Sequence, residues 1–371
     1  MISRLVVGFM TGTSIDGLDG ALVRITGRGL AMQPELVRTR TWSLGSIGEG
    51  LRRFADGAEM SAMAIADLAR RFGALHAQAA LELLDGSGQA DLIAVHGQTV
   101  AHAPPTSWQL LNPWPIALAT GSPVVHDLRG ADLAAGGQGA PITPLADWVW
   151  YRAPGVPRDV VNLGGFCNIT MVPGADDPSG SQGIRGMDVC ACNHVLDGVA
   201  RAVLDAPYDA DGAAAARGTP DEAAARQLEG ILDRQRQAGR SLGSGDEAAA
   251  WVDMVRMRLQ PDDAAATACR AVATIIATAI EPGAEVILAG GGVFNRTLVR
   301  EIGETLGRPV RVSDELGLPA AYREAAAIAV LGGLCADGVA ITLPIVTRTP
   351  SPAPIAGTWT NHRCLQLRTA P

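Results

Sequence analysis

An α/β protein of two lobes is what the sequence predicts, on three observations. The chain has 371 residues, beyond the length at which a single hydrophobic core stops growing. Two strand–glycine turn–strand segments open its two halves, which suggests a duplicated architecture with a cleft between lobes. Between them, short apolar runs ending in polar residues alternate with stretches of helical spacing.

The first segment runs from Val6 to Ile25 as VVGFM, TGTSIDG and LDGALVRI. Its Asp16-Gly17 pair is a hairpin signal, because glycine tolerates the positive φ such turns need. Hairpin chemistry leaves Gly12, Thr13 and Ser14 unexplained: together they offer backbone N–H groups and two hydroxyls around one concavity, an arrangement suited to phosphate oxygens. Asp16 could hold a divalent cation there through water, since Mg²⁺ keeps several waters and takes few carboxylates. Residues Glu35 to Leu44 supply a further strand. Ser61 to Leu84 reads as a long helix with Ile65, Leu68, Phe72, Leu75 and Ala79 on one stripe.

Asp91 to Val95 is a short apolar run ending in His96-Gly97-Gln98-Thr99, and Pro123 to His126 ends in Asp127-Leu128-Arg129. Asp132 and the loop Gly136 to Pro141, which holds Gln138, follow. Ligands of open α/β sheets bind at such strand ends.

After a proline-marked connector at Pro154 to Pro157 the second strand–turn–strand begins, DVVNLGG then FCNITMV, with Asn162, Gly164, Gly165 and Asn168 as a second set of phosphate donors. Gly186-Met187-Asp188 precedes a helical stretch with Val195, Leu196, Val199 and Val203 in phase and Asn193 near its start. An acid so placed reads as a helix cap. Polar helical spacing covers Asp221 to Gln237. The Gly239-to-Gly243 match to G-x-S-x-G follows polar residues instead of a buried strand, so it is no nucleophile elbow. A helix over Ala264 to Ile280 leads to a strand at Glu285 to Ala289, then Gly290, Gly291, Gly292 and a helix opening near Asn295, a place for ribose, base or phosphate. A helix at Pro319 to Leu331 carries Glu324, and the proline-rich stretch from Pro344 reads as irregular. The expected division is residues 1–157, completed by a helix over 319–338, then 158–318, then a tail over 344–371.

A net charge of -8 argues against nucleic-acid and anionic-membrane partners. The chain contains no lysine, so all 30 basic residues are arginine, which excludes Walker A loops, Schiff bases and a kinase strand lysine. The six cysteines lack framework spacing and the six histidines lack ligand spacing, so the cysteines read as small buried residues. The opening apolar run is too short for a signal peptide and no run reaches a membrane span, which gives a cytoplasmic expectation. A homodimer is the prior for assembly.

Taken in order, MTGTSIDGLD, HGQTVAH, DLRGADLAAGGQGAP, VVNLGGFCNIT, YDADGAAAARG, LAGGGVFN and the Glu324 helix resemble the anhydro-N-acetylmuramic acid kinases of bacterial cell-wall recycling, across about residues 6 to 345. The resemblance implies the actin, sugar kinase and Hsp70 fold, two lobes each built on a mixed sheet with flanking helices, closing over ATP with Mg²⁺. It implies phosphorylation of 1,6-anhydro-N-acetylmuramic acid at O6, coupled to opening of the anhydro bridge by water. Gly12 to Asp19, including Ile15, Gly17 and Leu18, would bind ATP. Asp188 would match the acid that activates the water. His96, Gln98, Thr99, Asp127, Arg129, Gln138, Asn193 and Glu324 are the candidate sugar contacts. Asp188 is followed here by Val189-Cys190-Ala191-Cys192-Asn193 where the family usually reads Thr-Gly-Pro-Gly-Asn, and Arg240 to Gly245 replaces a Lys-Ser-Thr-Gly segment. A homologue that binds without catalysing, or acts on another sugar, is the competing reading.

Overall fold

A computed structural model describes residues 2–12, 14–237 and 248–361. The chain divides into two compact units, one of Met1–Trp150 with Glu324–Pro371 and one of Tyr151–Arg323.

The first unit opens with an antiparallel meander, β1 (Ser3–Met10), β2 (Leu18–Thr26) and β3 (Gln33–Trp42). β1 is buried on both faces through Val6, Val7 and Phe9, whereas β3 carries the exposed charges Glu35, Arg38 and Arg40 along an edge, which discourages pairing with another chain. Two helices follow, α1 (Gly45–Ala55) and α2 (Ala62–Leu84). The Ser61 hydroxyl caps α2 by accepting from Ala64 N at 3.2 Å. β4 (Leu92–Val95) runs parallel to β1. A small separate hairpin, β5 (Gln98–Ala103) and β6 (Thr106–Leu110), leads into α3 (Trp114–Thr120), β7 (Val124–His126), α4 (Gly130–Ala134) and α5 (Pro144–Tyr151).

The second unit repeats the plan. β8 (Arg158–Leu163), β9 (Phe166–Val172) and β10 (Arg185–Ala191) are antiparallel. Among the described residues five α-helices follow: α6 (Asn193–Val203), α7 (Ala213–Arg217), α8 (Glu222–Gln237), α9 (Ala249–Arg258) and α10 (Pro261–Ala279). β11 (Glu285–Ala289) then lies parallel to β8, and α11 (Arg296–Leu306) and β12 (Arg311–Val312) complete the order β10-β9-β8-β11-β12. One face packs Val161, Leu163, Ile169, Val286 and Leu288 with Val199 of α6 and Val272 and Ile276 of α10.

The chain then returns to the first unit with α12 (Arg323–Ala336), α13 (Pro344–Thr347) and β13 (Thr358–Thr360), which gives the order β13-β7-β4-β1-β2-β3. Val7, Phe9, Leu22 and Ile93 pack on Leu68, Phe72 and Leu83 of α2. The opposite face receives α12 at contact distance: a Cβ on Gly8 would collide with the Ala325 carbonyl oxygen, and one on Gly332 would lie 2.5 Å from the Ala94 Cβ. This close approach fixes where α12 delivers Glu324. Each unit is thus a mixed sheet with flanking helices, the predicted α/β class.

Three expectations change. The stretch from Pro344 is not irregular throughout, since it forms α13 and a strand that pairs Thr358 with His126. Asp188 does not cap α6; it sits in β10, and Cys192 occupies the cap position with no side-chain cap bond. The positive φ of the first turn falls on Ile15 and not on Gly17, whereas the helix after Gly290, Gly291 and Gly292 opens at Asn295 as expected, by way of a short 3-10 turn over Gly291–Phe294. The Gly239-to-Gly243 motif and Arg240 to Gly245 lie outside the described residues.

Candidate active site

In the first unit the glycine turn joins β1 to β2, with Met10 paired to Asp19 as the last rung below it. The Ile15 N–H closes the turn on the Gly12 carbonyl at 3.2 Å, and Ile15 takes φ 52°, a left-handed conformation costly for a β-branched residue. Its side chain is buried, while Ser14 and Asp16 face solvent. Thr13 lies outside the described residues. Arg52 of α1 donates to the Ile15 carbonyl at 2.5 Å, and Thr41 of β3 donates to Asp19 Oδ1 at 2.6 Å. Burial pushes the Asp19 carboxyl up to about 6; the Thr41 bond opposes this, and the nearby Asp16 and Glu324 carboxylates add to it.

The end of β4 carries the next group. His96 is buried and its Nδ1 donates to the Gly97 carbonyl at 2.9 Å, which leaves Nε2 as an acceptor. That nitrogen receives Arg129 Nε at 3.0 Å and Nη2 at 2.9 Å. Burial, then the guanidinium, hold the imidazole down at about 3, so it is neutral. Burial also lowers Arg129, to about 10, against the opposing pull of Glu324. Glu324, at the start of α12, therefore acts electrostatically on both Asp19 and Arg129.

Arg129 Nη1 reaches the Gly139 carbonyl at 2.6 Å, and buried Asp132 holds the same loop by accepting from Gly139 N at 2.7 Å and Thr347 Oγ1 at 2.8 Å. Gln138 N bonds the Thr347 carbonyl at 2.7 Å while its side chain is exposed. The Asp127 carboxylate accepts from Gly130 N at 3.0 Å. On β5, Gln98 Nε2 donates to the Thr99 carbonyl at 3.1 Å, and Gln109 Nε2 donates to Thr99 Oγ1 at 3.3 Å. The buried Gln98 Oε1 and Thr11 Oγ1 have no hydrogen-bond partner among the described residues, a cost that a bound donor would relieve.

The second unit presents a polar row. Asp188 of β10 lies opposite Asn168 of β9, and Asn168 lies opposite Asn162 of β8. Residues paired across strands share a face. The neighbours Val161, Leu163, Cys167 and Ile169 enter the core, so the two asparagines occupy the other face. A bulge between Asp188 and Cys190 lets Val189, Cys190, Ala191 and Cys192 all be buried while Asp188 keeps its register with Asn168. The buried thiols are pushed up, Cys190 to about 12, and are not nucleophiles.

The second glycine turn holds the start of α6: the Gly164 carbonyl accepts from Asn193 N at 3.0 Å and the Gly165 carbonyl from Cys192 N at 2.9 Å. Asn193 Nδ2 donates to the Leu163 carbonyl at 3.3 Å. Gly290 and Gly292 press on this turn, where a Cβ would lie 2.7 Å from Asn162 Oδ1 and 2.6 Å from the Leu163 Cβ respectively; Gly291 is their neighbour. Asn295 caps α11, its Oδ1 accepting from Leu298 N at 2.9 Å. Asn162, Gly164, Gly165, Asn193 and Gly290 to Gly292 thus form one cluster at the carboxyl ends of β8 and β11, with Asn168 and Asp188 beside it on the sheet.

Comparison with known proteins decides the family. The family model described as anhydro-N-acetylmuramic acid kinase matches residues 4–359. The chain belongs to the anhydro-N-acetylmuramic acid kinase family. Proteins of that name are 36% identical in Salinibacter ruber, with 95% of each chain covered, and 36% identical in Bordetella pertussis, with 93% of each covered. The one in Streptomyces avermitilis is 35% identical, covering 98% of this chain and 96% of its own.

As an anhydro-N-acetylmuramic acid kinase family member the chain is a sugar kinase. Sequence reasoning had not singled out Thr41, Arg52 or His102. The first two touch the turn from β3 and α1. His102 on β5 bonds Ser107 Oγ at 2.9 Å, and burial together with Arg129 lowers its pKa. The HGQTVAH motif contains His102, so a signal existed; Thr41 and Arg52 carry none, because only strand register and helix packing bring them to the turn. No helix among the described residues is long and apolar enough to cross a membrane.

Proposed function

We propose that the protein transfers the γ-phosphoryl group of Mg·ATP to O6 of 1,6-anhydro-N-acetylmuramic acid while water opens the anhydro bridge, giving N-acetylmuramic acid 6-phosphate and ADP in murein recycling. The observation that carries the reading is Asp188 held in register with Asn168 on the polar row of the second sheet. It favours a catalytic protein over one that only binds, because the altered residues Val189 to Cys192 are absorbed into the core by a bulge that leaves Asp188 paired.

Asp188 takes a proton from the water whose oxygen attacks C1, the C1–O6 bond breaks, and the O6 electron pair takes the phosphoryl group as ADP departs. Such transfer depends on positioning and charge neutralisation more than on covalent help. Gly12 to Asp19 hold the nucleotide's phosphates, with Gly164, Gly165, Asn168, Gly290 to Gly292 and Asn295 as the second unit's nucleotide contacts. Arg129, kept cationic beside Glu324 and oriented by neutral His96, binds the sugar with Gln98, Thr99, Asp127, Gln138, Asn193 and Glu324. The buried, unpartnered Gln98 Oε1 suits a sugar hydroxyl donor.

Among the described residues no three His, Cys, Asp or Glu side chains are arranged to hold a metal ion. Magnesium arriving with ATP needs no such cage, since it keeps its waters and takes one or two carboxylates. The donor set fits: Asp16 is exposed on the turn, and the repulsion that Asp16 and Glu324 exert on Asp19 is what a divalent cation would relieve. Bound there, the ion neutralises charge on the phosphates. The reading extends to a cytoplasmic protein, as a homodimer.

The test is ADP release with Mg·ATP and 1,6-anhydro-N-acetylmuramic acid, beside N-acetylmuramic acid, N-acetylglucosamine and no sugar. Turnover should be specific to the anhydro sugar. Asp188→Asn should bind ATP yet lose about 10³-fold or more in kcat; full turnover by that variant would remove Asp188 as the base. Silence with every sugar, in protein that binds ATP, would favour the binding-only homologue.

A further inference from the structure

β3 is an exposed edge strand, and nothing in its arginine-rich, alternating sequence marks it as part of a site. Register nevertheless sets Thr41 directly opposite Asp19. The Thr41 side chain meets the glycine turn at two points. Its hydroxyl donates to Asp19 Oδ1 at 2.6 Å, short as expected when the acceptor is charged. Its Cγ2 methyl lies over Gly17, where an added Cβ would sit 2.8 Å away. A β-branched side chain is stiff at χ1, so fixing one of these contacts fixes the other.

The fold does not require either contact. Thr41 is exposed, the β2–β3 ladder is made by backbone groups, and valine has the same shape and an equal or better strand propensity. Asp19 is different: it is half-buried and shares its surroundings with two further carboxylates, Asp16 and Glu324, which repel it. A carboxylate among like charges rotates away from them unless a donor holds it. The donor here is Thr41, which joins the end of the turn at Asp19 to its shoulder at Gly17.

We propose that Thr41 is a positioning residue for Mg·ATP: its hydroxyl on Asp19 and its methyl on Gly17 hold the glycine turn in the shape that receives the nucleotide's phosphates. The proposal rests on the reading of Gly12 to Asp19 as the nucleotide turn. It predicts that the hydroxyl matters for nucleotide affinity and for little else.

The experiment compares wild type, Thr41→Val and Thr41→Ser in steady-state kinetics, varying Mg·ATP and 1,6-anhydro-N-acetylmuramic acid separately, with thermal midpoints measured alongside. Thr41→Val should raise KM for Mg·ATP about tenfold, the order expected for one hydrogen bond to a charged group, with KM for the sugar and the midpoint unchanged. Thr41→Ser, which restores the hydroxyl without the methyl, should return KM for Mg·ATP to within about threefold of wild type. A wild-type KM in the valine variant would overturn the proposal, as would equal impairment of both variants with a lowered midpoint, which would mark Thr41 as structural. Failure of the nucleotide reading is separately visible, because wild type itself would then show no saturable dependence on Mg·ATP.

Discussion

His96 and Arg129 are joined twice through a single nitrogen, the imidazole Nε2 accepting from guanidinium Nε at 3.0 Å and Nη2 at 2.9 Å. Because Nδ1 is committed to the Gly97 carbonyl, the ring can serve the arginine only while neutral. Burial and the adjacent cation secure that state by depressing the ring to about 3. His96 is therefore an orienting group for Arg129 and not an acid or base near neutrality.

The consequence for activity is specific. His96→Leu leaves two buried guanidinium N–H directions without an acceptor and should raise KM for the sugar by about tenfold or more. His96→Gln, whose amide oxygen can accept, should recover part of that loss. Since His96 does not titrate between pH 5 and 8, the glutamine variant should keep the wild-type acid limb in its kcat/KM profile; a limb that disappeared with His96 would contradict the assignment.

Asp19 behaves in the opposite sense. Its carboxyl is raised from 3.8 to about 6, chiefly by burial. The folded state thus holds this proton more tightly than the unfolded chain. Stability from this group is full below pH 4 and is lost as pH rises from about 4 through 6. Asp19→Asn, which cannot ionise, should raise the thermal midpoint by about 2–4 °C at pH 8 and leave it unchanged at pH 4. Equal shifts at both pH values would show that charge burial is not the cause.

Much of this site could be read from the chain because its signals are local. The apolar runs on either side of Asp16-Gly17 mark the first hairpin, although its positive φ falls on Ile15 and not on the glycine, and Glu285 to Ala289 before three glycines marks β11 at the observed limits. What could not be read depends on distant pairing. Asp188 looks like a cap because the bulge at Val189 breaks the alternation that would reveal a strand, and its partner Asn168 lies in the preceding strand. Thr358–Thr360 is too short to announce itself and becomes a strand only against β7. The β5–β6 hairpin carries polar residues on an alternation that reads equally as loop. The roles of Thr41 and Arg52 are fixed by register and packing.

Gly8 sets how near α12 can come to the sheet. A methyl there would strike the Ala325 carbonyl oxygen, backbone that cannot rotate aside. Gly8→Ala should cost about 1–3 kcal/mol in urea unfolding. It should also displace the first turn of α12 and with it Glu324, so the loss of activity should exceed what the population of unfolded protein explains. A stability loss with kcat/KM intact in the folded fraction would mean that Glu324 tolerates the shift.

Asp132 offers a comparable test on the sugar side, where Gly139 is held from both ends, its N–H by the Asp132 carboxylate and its carbonyl by Arg129. The carboxylate also accepts from Thr347 Oγ1, so both oxygens face donors. Asp132→Asn turns one acceptor into a donor pointing at a donor and should cost about 1–3 kcal/mol. Thr347→Val removes a single hydroxyl and should cost about 1 kcal/mol. If the loop matters to the site through Arg129, Asp132→Asn should raise KM for the sugar while leaving KM for Mg·ATP unchanged, and Thr347→Val should do so more weakly. Equal effects on both substrates would assign Asp132 to general stability alone.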